Sequence, residues 1–293
     1  MNYSNPKTNT HLYYFDSIDD ICNYIVNNSR GNEKSWWSTR KVNRWSGNMT
    51  FQQAFNKFKY GDDELAEQIE NVELEDDLKI ERLTNEYLLD IQGIVPHVPN
   101  AILGLPQSMI NISRTRVKSN HKILNLVYDL SVNCAVDADD YTKVSKLFLN
   151  IVDKLEILGY RCSIYVLIQN RMDNIISYKH DTHNTWMLKL KDSSEPFNRY
   201  KCAFILGHVG MFRRIGFRLI ELESHSDPDS CAYGETLSAY ERNSLIEHIF
   251  KDNNIPVNNY KVFNIYEHIH DTEDDIIKSI SFMKENNEND FRS

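Results

Sequence analysis

Apolar positions between Lys122 and Gln169 change period twice, and the rest of the chain is organised around that change. Ile123, Leu124, Leu126, Val127, Tyr128 and Leu130 form a nearly continuous apolar run, the pattern of a strand buried on both faces. From about Asp137 the spacing becomes three and four. Tyr141, Val144, Phe148, Ile151, Leu155 and Leu158 then share one helical stripe, and Gly159 stands where a left-handed cap ends a helix. Cys162, Ile164, Val166 and Ile168, with Tyr165 and Leu167 between them, make a second buried run. Two parallel strands need such a helical crossover, so the stretch predicts a βαβ unit.

The flanking pattern extends this to an α/β fold with a mostly parallel central sheet of Rossmann type between helices. His11 to Phe15 predicts a short aromatic strand. Ser17 and Thr50 predict caps of helices that bury Ile18, Ile21 and Ile25, and Phe51, Ala54, Phe55 and Phe58. Asp62 to Leu83 reads as a solvated helical region. Ile94 to Met109 holds Pro96, Pro99 and Pro106, so it predicts neither a regular helix nor a central strand. It is expected as an extended segment crossing the core. Trp186, Leu188 and Leu190 alternate with polar neighbours as a strand, and Pro196 suggests a helix start. A helix is expected from about Ser238, a last strand at Val262 to Ile265, and a final helix capped by Thr272. Two regions follow: residues 1–110, mainly helical with an aromatic cluster and a proline-rich segment, and residues 111–293, the α/β domain.

Composition narrows the function. A net charge of −9 over 293 residues argues against a general nucleic-acid binder. The run Arg114, Arg116, Lys118, His121 and Lys122 is only a weak local exception. No stretch of about 18 apolar residues is present, so no membrane span is expected. The polar start, Met1 to Thr10, does not look like an export signal. Five scattered cysteines without a CxxC pair suit a reducing compartment and read as buried free thiols.

Two constellations carry candidate chemistry. The first is Asp129 and Ser131 at the carboxyl end of the first buried strand, where open α/β sheets place ligands. Its alternative is loop structure, since an Asp there also accepts backbone N–H bonds. Asp137, Asp139 and Asp140 read as acids favoured by a helix N-terminus. The second is Trp36, Trp37, Arg40 and Trp45, with His208, Arg213 and Arg214 later in the chain. Three of the four tryptophans fall within ten residues. They read either as an aromatic mini-core with Arg40 and Arg44 stacked on it, or as a partner-binding hot spot. Helical geometry predicts that only one of Arg213 and Arg214 points inward, pairing with Glu221 or Glu223 while the other meets an anion or joins a salt-bridge network. His180, Asp181 and His183 form an unspecific metal pattern. There is no Gly-x4-Gly-Lys-Ser/Thr loop, no Gly-x-Ser-x-Gly elbow and no Cys–His pairing in a known pattern, so an enzyme is the weaker expectation.

Asp129-Leu130-Ser131-Val132-Asn133, followed by a long helix and a hydrophobic strand, resembles the von Willebrand factor A fold. The resemblance implies a divalent cation, such as Mg²⁺, on Asp129, Ser131 and Asn133, with Thr182 or Thr236 from a later loop. It departs from the family in having Asn133 for the last serine and no later Asp-Gly strand end. A second resemblance spans roughly residues 45–222. Trp45-Ser46-Gly47, Val98-Pro99, Leu103-Gly104-Leu105-Pro106, Met109, the Asp129–Leu155 unit, Ala203-Phe204, His208 and Phe212-Arg213-Arg214-Ile215-Gly216-Phe217 are similar to an uncharacterised family of tailed-phage proteins. It implies a phage product in the cytoplasm of the infected cell. The resulting expectation is a non-enzymatic module that binds a host defence protein or another phage protein. A metal-dependent hydrolase or nuclease built on Asp129, and a virion component, are the alternatives.

Overall fold

In the computed structural model the described residues are 2–5, 10–29, 37–70, 86–113, 123–132, 136–157, 160–172, 182–223, 237–257, 260–265, 267–268 and 271. Strand β1 is Asn2–Asn5 and β2 is Thr10–Phe15. Helix α1, Ile18–Asn28, starts where the Ser17 hydroxyl accepts the Asp20 N–H. Helix α2, Phe51–Tyr60, has a reciprocal cap between Thr50 and Gln53. It is followed by α3, Asp63–Glu70. Residues 86–113 hold β3 (Glu86–Asp90), β4 (Val95–Pro96), α4 (Val98–Ile102) and β5 (Met109–Ser113). The expected βαβ unit follows as β6 (Ile123–Asp129), α5 (Ala138–Ile157) and β7 (Arg161–Met172). Then come β8 (Thr182–Lys191), α6 (Arg199–Gly207), a π-helical turn at Met211–Gly216, α7 (Phe217–Glu223), α8 (Ala239–Asp252) and β9 (Tyr260–Asn264).

Six strands form the main sheet in the order β1-β2-β8-β7-β6-β9. Pairings β2–β8, β7–β6 and β6–β9 are parallel, while β1–β2 and β7–β8 are antiparallel. The protein is thus α/β with a mostly parallel sheet flanked by helices. One core packs Leu126, Tyr128, Ile164 and Val166 against α5 and α6 and includes Ile21 and Phe58. The other packs Val127, Leu167 and Met187 against Ile246, Ile249 and Phe250 of α8. Residues on both sides of position 110 therefore share one core, and β2 is part of the main sheet. The α5 stripe is buried as its spacing requires; Leu158 and the Thr272 helix lie outside the described residues.

Two expectations are corrected here. The helix expected at Pro196 begins later, at Arg199, because the Asn198 side chain supplies the cap by accepting the Lys201 N–H. The proline-rich segment does not run through the core. Pro96 and Pro99 limit it to a two-residue strand and a single helical turn, and among the described residues β3, β5 and β4 pair only with one another in a small antiparallel sheet. Gly93 is needed there, since a Cβ would sit 2.4 Å from the Ile110 carbonyl oxygen. The side chain of Asn100 donates to the Gln107 carbonyl at 2.8 Å and closes the loop after α4.

Candidate functional site

Strand β6 is the point where the sheet's connections change side. The crossover through α5 to β7 covers one face, and α8, which leads to β9, covers the other. Ligand sites of open α/β sheets lie outside the carboxyl ends of strands at such a point. Asp129 ends β6 there, beside Leu167 of β7 and Asn264 of β9.

Its carboxylate is completely buried and surrounded by donors. Oδ1 accepts the Ser131 N–H at 3.0 Å. Oδ2 accepts Gln169 Nε2 at 2.6 Å and Asn264 Nδ2 at 2.9 Å, with Arg242 Nη1 of α8 at 3.5 Å. Ser131 Oγ accepts the Gln169 N–H at 2.8 Å and carries the β6 end onto β7. Arg242 also grips Glu267, with both contacts at 3.1 Å. Burial raises the Asp129 pKa, opposed first by the Arg242 guanidinium and then by the Ser131 and Asn264 bonds. Gln169 Oε1, its cross-strand neighbour's Thr185 Oγ1, and Arg242 Nε are buried without a protein partner.

This arrangement does not fit a divalent cation at Asp129. A cation ligand needs free lone pairs, and here they face two amide N–H groups, a backbone N–H and a guanidinium. Asn133 and Thr236, expected to share such a site, lie outside the described residues, as do His180 and Asp181. Thr182 and His183 belong to β8. Among the described residues no group of three His, Cys, Asp or Glu side chains is placed to hold a metal ion. Asp129 and Ser131 instead join three strand ends and a helix. The sequence reading missed Gln169, Asn264, Arg242 and Glu267. The visible signal was a polar residue at the end of each apolar strand run.

Trp37, Trp45, Arg213 and Arg214 do come together: both rings are half-buried against the core, both guanidiniums are buried, and Arg40 stays exposed beside them. Trp36 lies outside the described residues. The Trp37 and Trp45 rings meet at 6.1 Å, and Trp45 packs on Phe217 at 5.6 Å. The Arg40 guanidinium sits 3.5 Å from the Trp37 ring centroid. Arg213 covers Trp45 and donates to the carbonyls of Trp45 and Val136. Arg214 donates Nε to Met49 O at 2.9 Å, Nη1 to Ser38 O and Arg40 O at 2.9 and 3.0 Å, and Nη2 to Ser46 Oγ at 2.9 Å. The inward-or-outward expectation is therefore overturned: Arg213 is 2% and Arg214 1% exposed. The π-helical turn is enclosed on all sides, so it has no outward direction to offer. Glu221 accepts the Ser38 N–H and hydroxyl, and its charge favours the Arg214 guanidinium. Arg44, expected on the aromatic cluster, reaches Asp139 at the surface.

His208 ends α6, stacked on Phe204, and its Nδ1 accepts the Gly210 N–H at 3.0 Å. Burial, with a smaller contribution from Lys57, lowers its pKa from 6.5 to about 4, so it is neutral at pH 7. A Cβ on Gly210 would lie 2.8 Å from both this ring nitrogen and Met49 Sδ. Cys22, Cys162 and Cys202 are buried free thiols; burial raises them to about 11, 12 and 12.

Surface character is concentrated elsewhere. Among the described residues, eight of the fourteen exposed large hydrophobic side chains lie between Leu89 and Leu105. Ile102 is 78%, Ile94 72%, Leu103 72% and Ile91 68% exposed.

The fold and these sites define a helix-flanked α/β protein with a polar lock at its switch point and an arginine clamp behind an aromatic loop. The profile of a family described as a domain of unknown function, DUF7192, matches residues 3–276, and the chain belongs to that family. No curated protein and no solved structure matches it. Among the described residues no helix is long and apolar enough to cross a membrane.

Proposed function

We propose that the protein is a non-catalytic protein-binding module, encoded by a tailed phage and acting in the cytoplasm of the infected cell. Its partner is a host defence protein or another phage protein. The observation that carries this reading is the apolar surface of residues 86–113. Soluble proteins rarely leave neighbouring large side chains such as Ile91, Ile94, Val98, Ile102 and Leu103 exposed unless another molecule covers them. The phage setting rests on the sequence resemblance across residues 45–222. The reading of the core as von Willebrand A-like is supported by the order β6, Asp129-Leu130-Ser131, α5, β7. The recognition surface is assigned to residues 86–113 rather than to the Asp129–Asn133 edge, because the Asp129 carboxylate is enclosed.

The test is affinity capture from phage-infected cells with the wild type, the Ile94→Asp/Ile102→Asp variant, and Glu64→Ala on α3 as an exposed surface control. A partner retained by wild type and control but lost with the double variant supports the reading. Equal recovery of every captured protein by all three would sink it.

A further inference from the structure

At the amino end of β6 and β7, opposite the Asp129 cluster, the surface opens into a groove of about 720 Å³. Tyr14 and Tyr165 line its buried floor, and the end of α8 with the following turn, Asp252 to Pro256, makes one wall. The charges around it are unequal. Asp16, Asp192 and Asp252 contribute three carboxylates against one ammonium, that of Lys189. Lys189 is held by Asp192 at 2.6 Å, which leaves Asp16 and Asp252, both exposed, as the excess negative charge. The C-terminal end of α8 adds the negative pole of a helix dipole to the same space. Both phenols stay neutral at physiological pH, because burial raises them and Asp16 and Asp192 add to the effect. They offer oxygen acceptors and ring edges.

We propose that this groove binds an organic cation carrying primary amines, either a free polyamine or the lysine side chains of a partner. The shape is too large for a bare metal ion, and the charge repels anions such as phosphates. The amine takes the Asp16 and Asp252 carboxylates, and its methylene chain lies against the tyrosine floor, as lysine stems do on apolar surface. This groove lies on the α8 face of the sheet and takes none of its lining from residues 86–113.

The experiment is isothermal titration of the full chain with spermidine and, separately, with N-acetyl-lysine amide at low salt. The Asp16→Asn/Asp252→Asn variant is compared with Asp63→Asn/Glu64→Gln, which removes two exposed acids from α3. Expected is saturable one-to-one spermidine binding, at least tenfold weaker in the groove variant and unchanged in the α3 variant. Binding of spermidine alone identifies a free polyamine; binding of the lysine amide identifies a partner's side chain. Absence of saturable binding for both probes, or equal weakening in both variants, overturns the proposal. Thermal melts of the two variants confirm that each is folded, since all four carboxylates lie at the surface.

Discussion

The arginine clamp and the 86–113 sheet treat unusual side chains in opposite ways. In the clamp, two guanidiniums that would normally be wet are buried, and they bond backbone carbonyls between Ser38 and Met49. In the small sheet, side chains that would normally be dry are exposed, while the backbone is bonded within the module. On the function proposed above, the contrast separates stability from recognition. Tryptophan and arginine together suggest a binding hot spot, yet here they hold residues 37–49 onto the π-helical turn and α7. The apolar surface available for a partner is built from isoleucine, leucine and valine around three prolines.

The sharpest way to break this comparison is to remove the clamp. Arg214→Met removes the guanidinium donors from the carbonyls of Ser38, Arg40 and Met49 and from the Ser46 hydroxyl, and should cost about 3–5 kcal/mol in urea unfolding. Arg214→Lys should recover little of that, because one ammonium cannot reach carbonyls on several sides. A loss under about 1 kcal/mol would mean the loop is held by its aromatic contacts instead.

His208 tests the same junction by pH. Its folded pKa is depressed, so its contribution is present above the unfolded value of 6.5 and is lost as pH falls toward about 4. Wild-type stability should drop by roughly 3 kcal/mol across that window through this group. His208→Gln, which stays neutral, should flatten that part of a pH series of urea midpoints.

A smaller effect is expected at the switch point. Asp129→Asn keeps the shape but sets an amide N–H₂ among donors, for a loss of about 2 kcal/mol. Because the carboxylate is already filled, millimolar Mg²⁺ against EDTA should move the wild-type melting temperature by less than about 1 °C. A larger rise, abolished in Asp129→Asn, would show that a cation displaces Arg242. Least of all should change in the small sheet: Ile94→Asp/Ile102→Asp is expected to alter stability by under about 0.5 kcal/mol, since exposed side chains away from packed features carry little folding energy. A large loss there would show that this surface is covered within the chain itself.

Local pattern was enough for the elements that bury one face or stripe. The apolar run of β6, the three-and-four spacing of α5 and the caps at Ser17 and Thr50 are short-range features, and they formed as their chemistry requires. Asp129 was legible as a site because strand ends are special in parallel sheets. Its partners were not, because Gln169, Arg242 and Asn264 lie 40, 113 and 135 residues away and meet it only through strand order. The direction of Arg213 and Arg214 was likewise undecided, since a helical wheel assumes a solvent face that the enclosed π-helical turn lacks.

What the sequence by itself determined is the alternation of strand and helix around residues 122–169, the acidic charge and the interruption of residues 94–109 by proline. Each follows from side-chain period or backbone stereochemistry within a few residues. Only the tertiary structure decided that β2 joins β8, that Trp37 and Trp45 pack against the core and that residues 86–113 form a separate small sheet with Ile91, Ile94 and Ile102 exposed. Those outcomes depend on which surfaces are left to cover one another once the sheet has formed, and no local pattern encodes that competition.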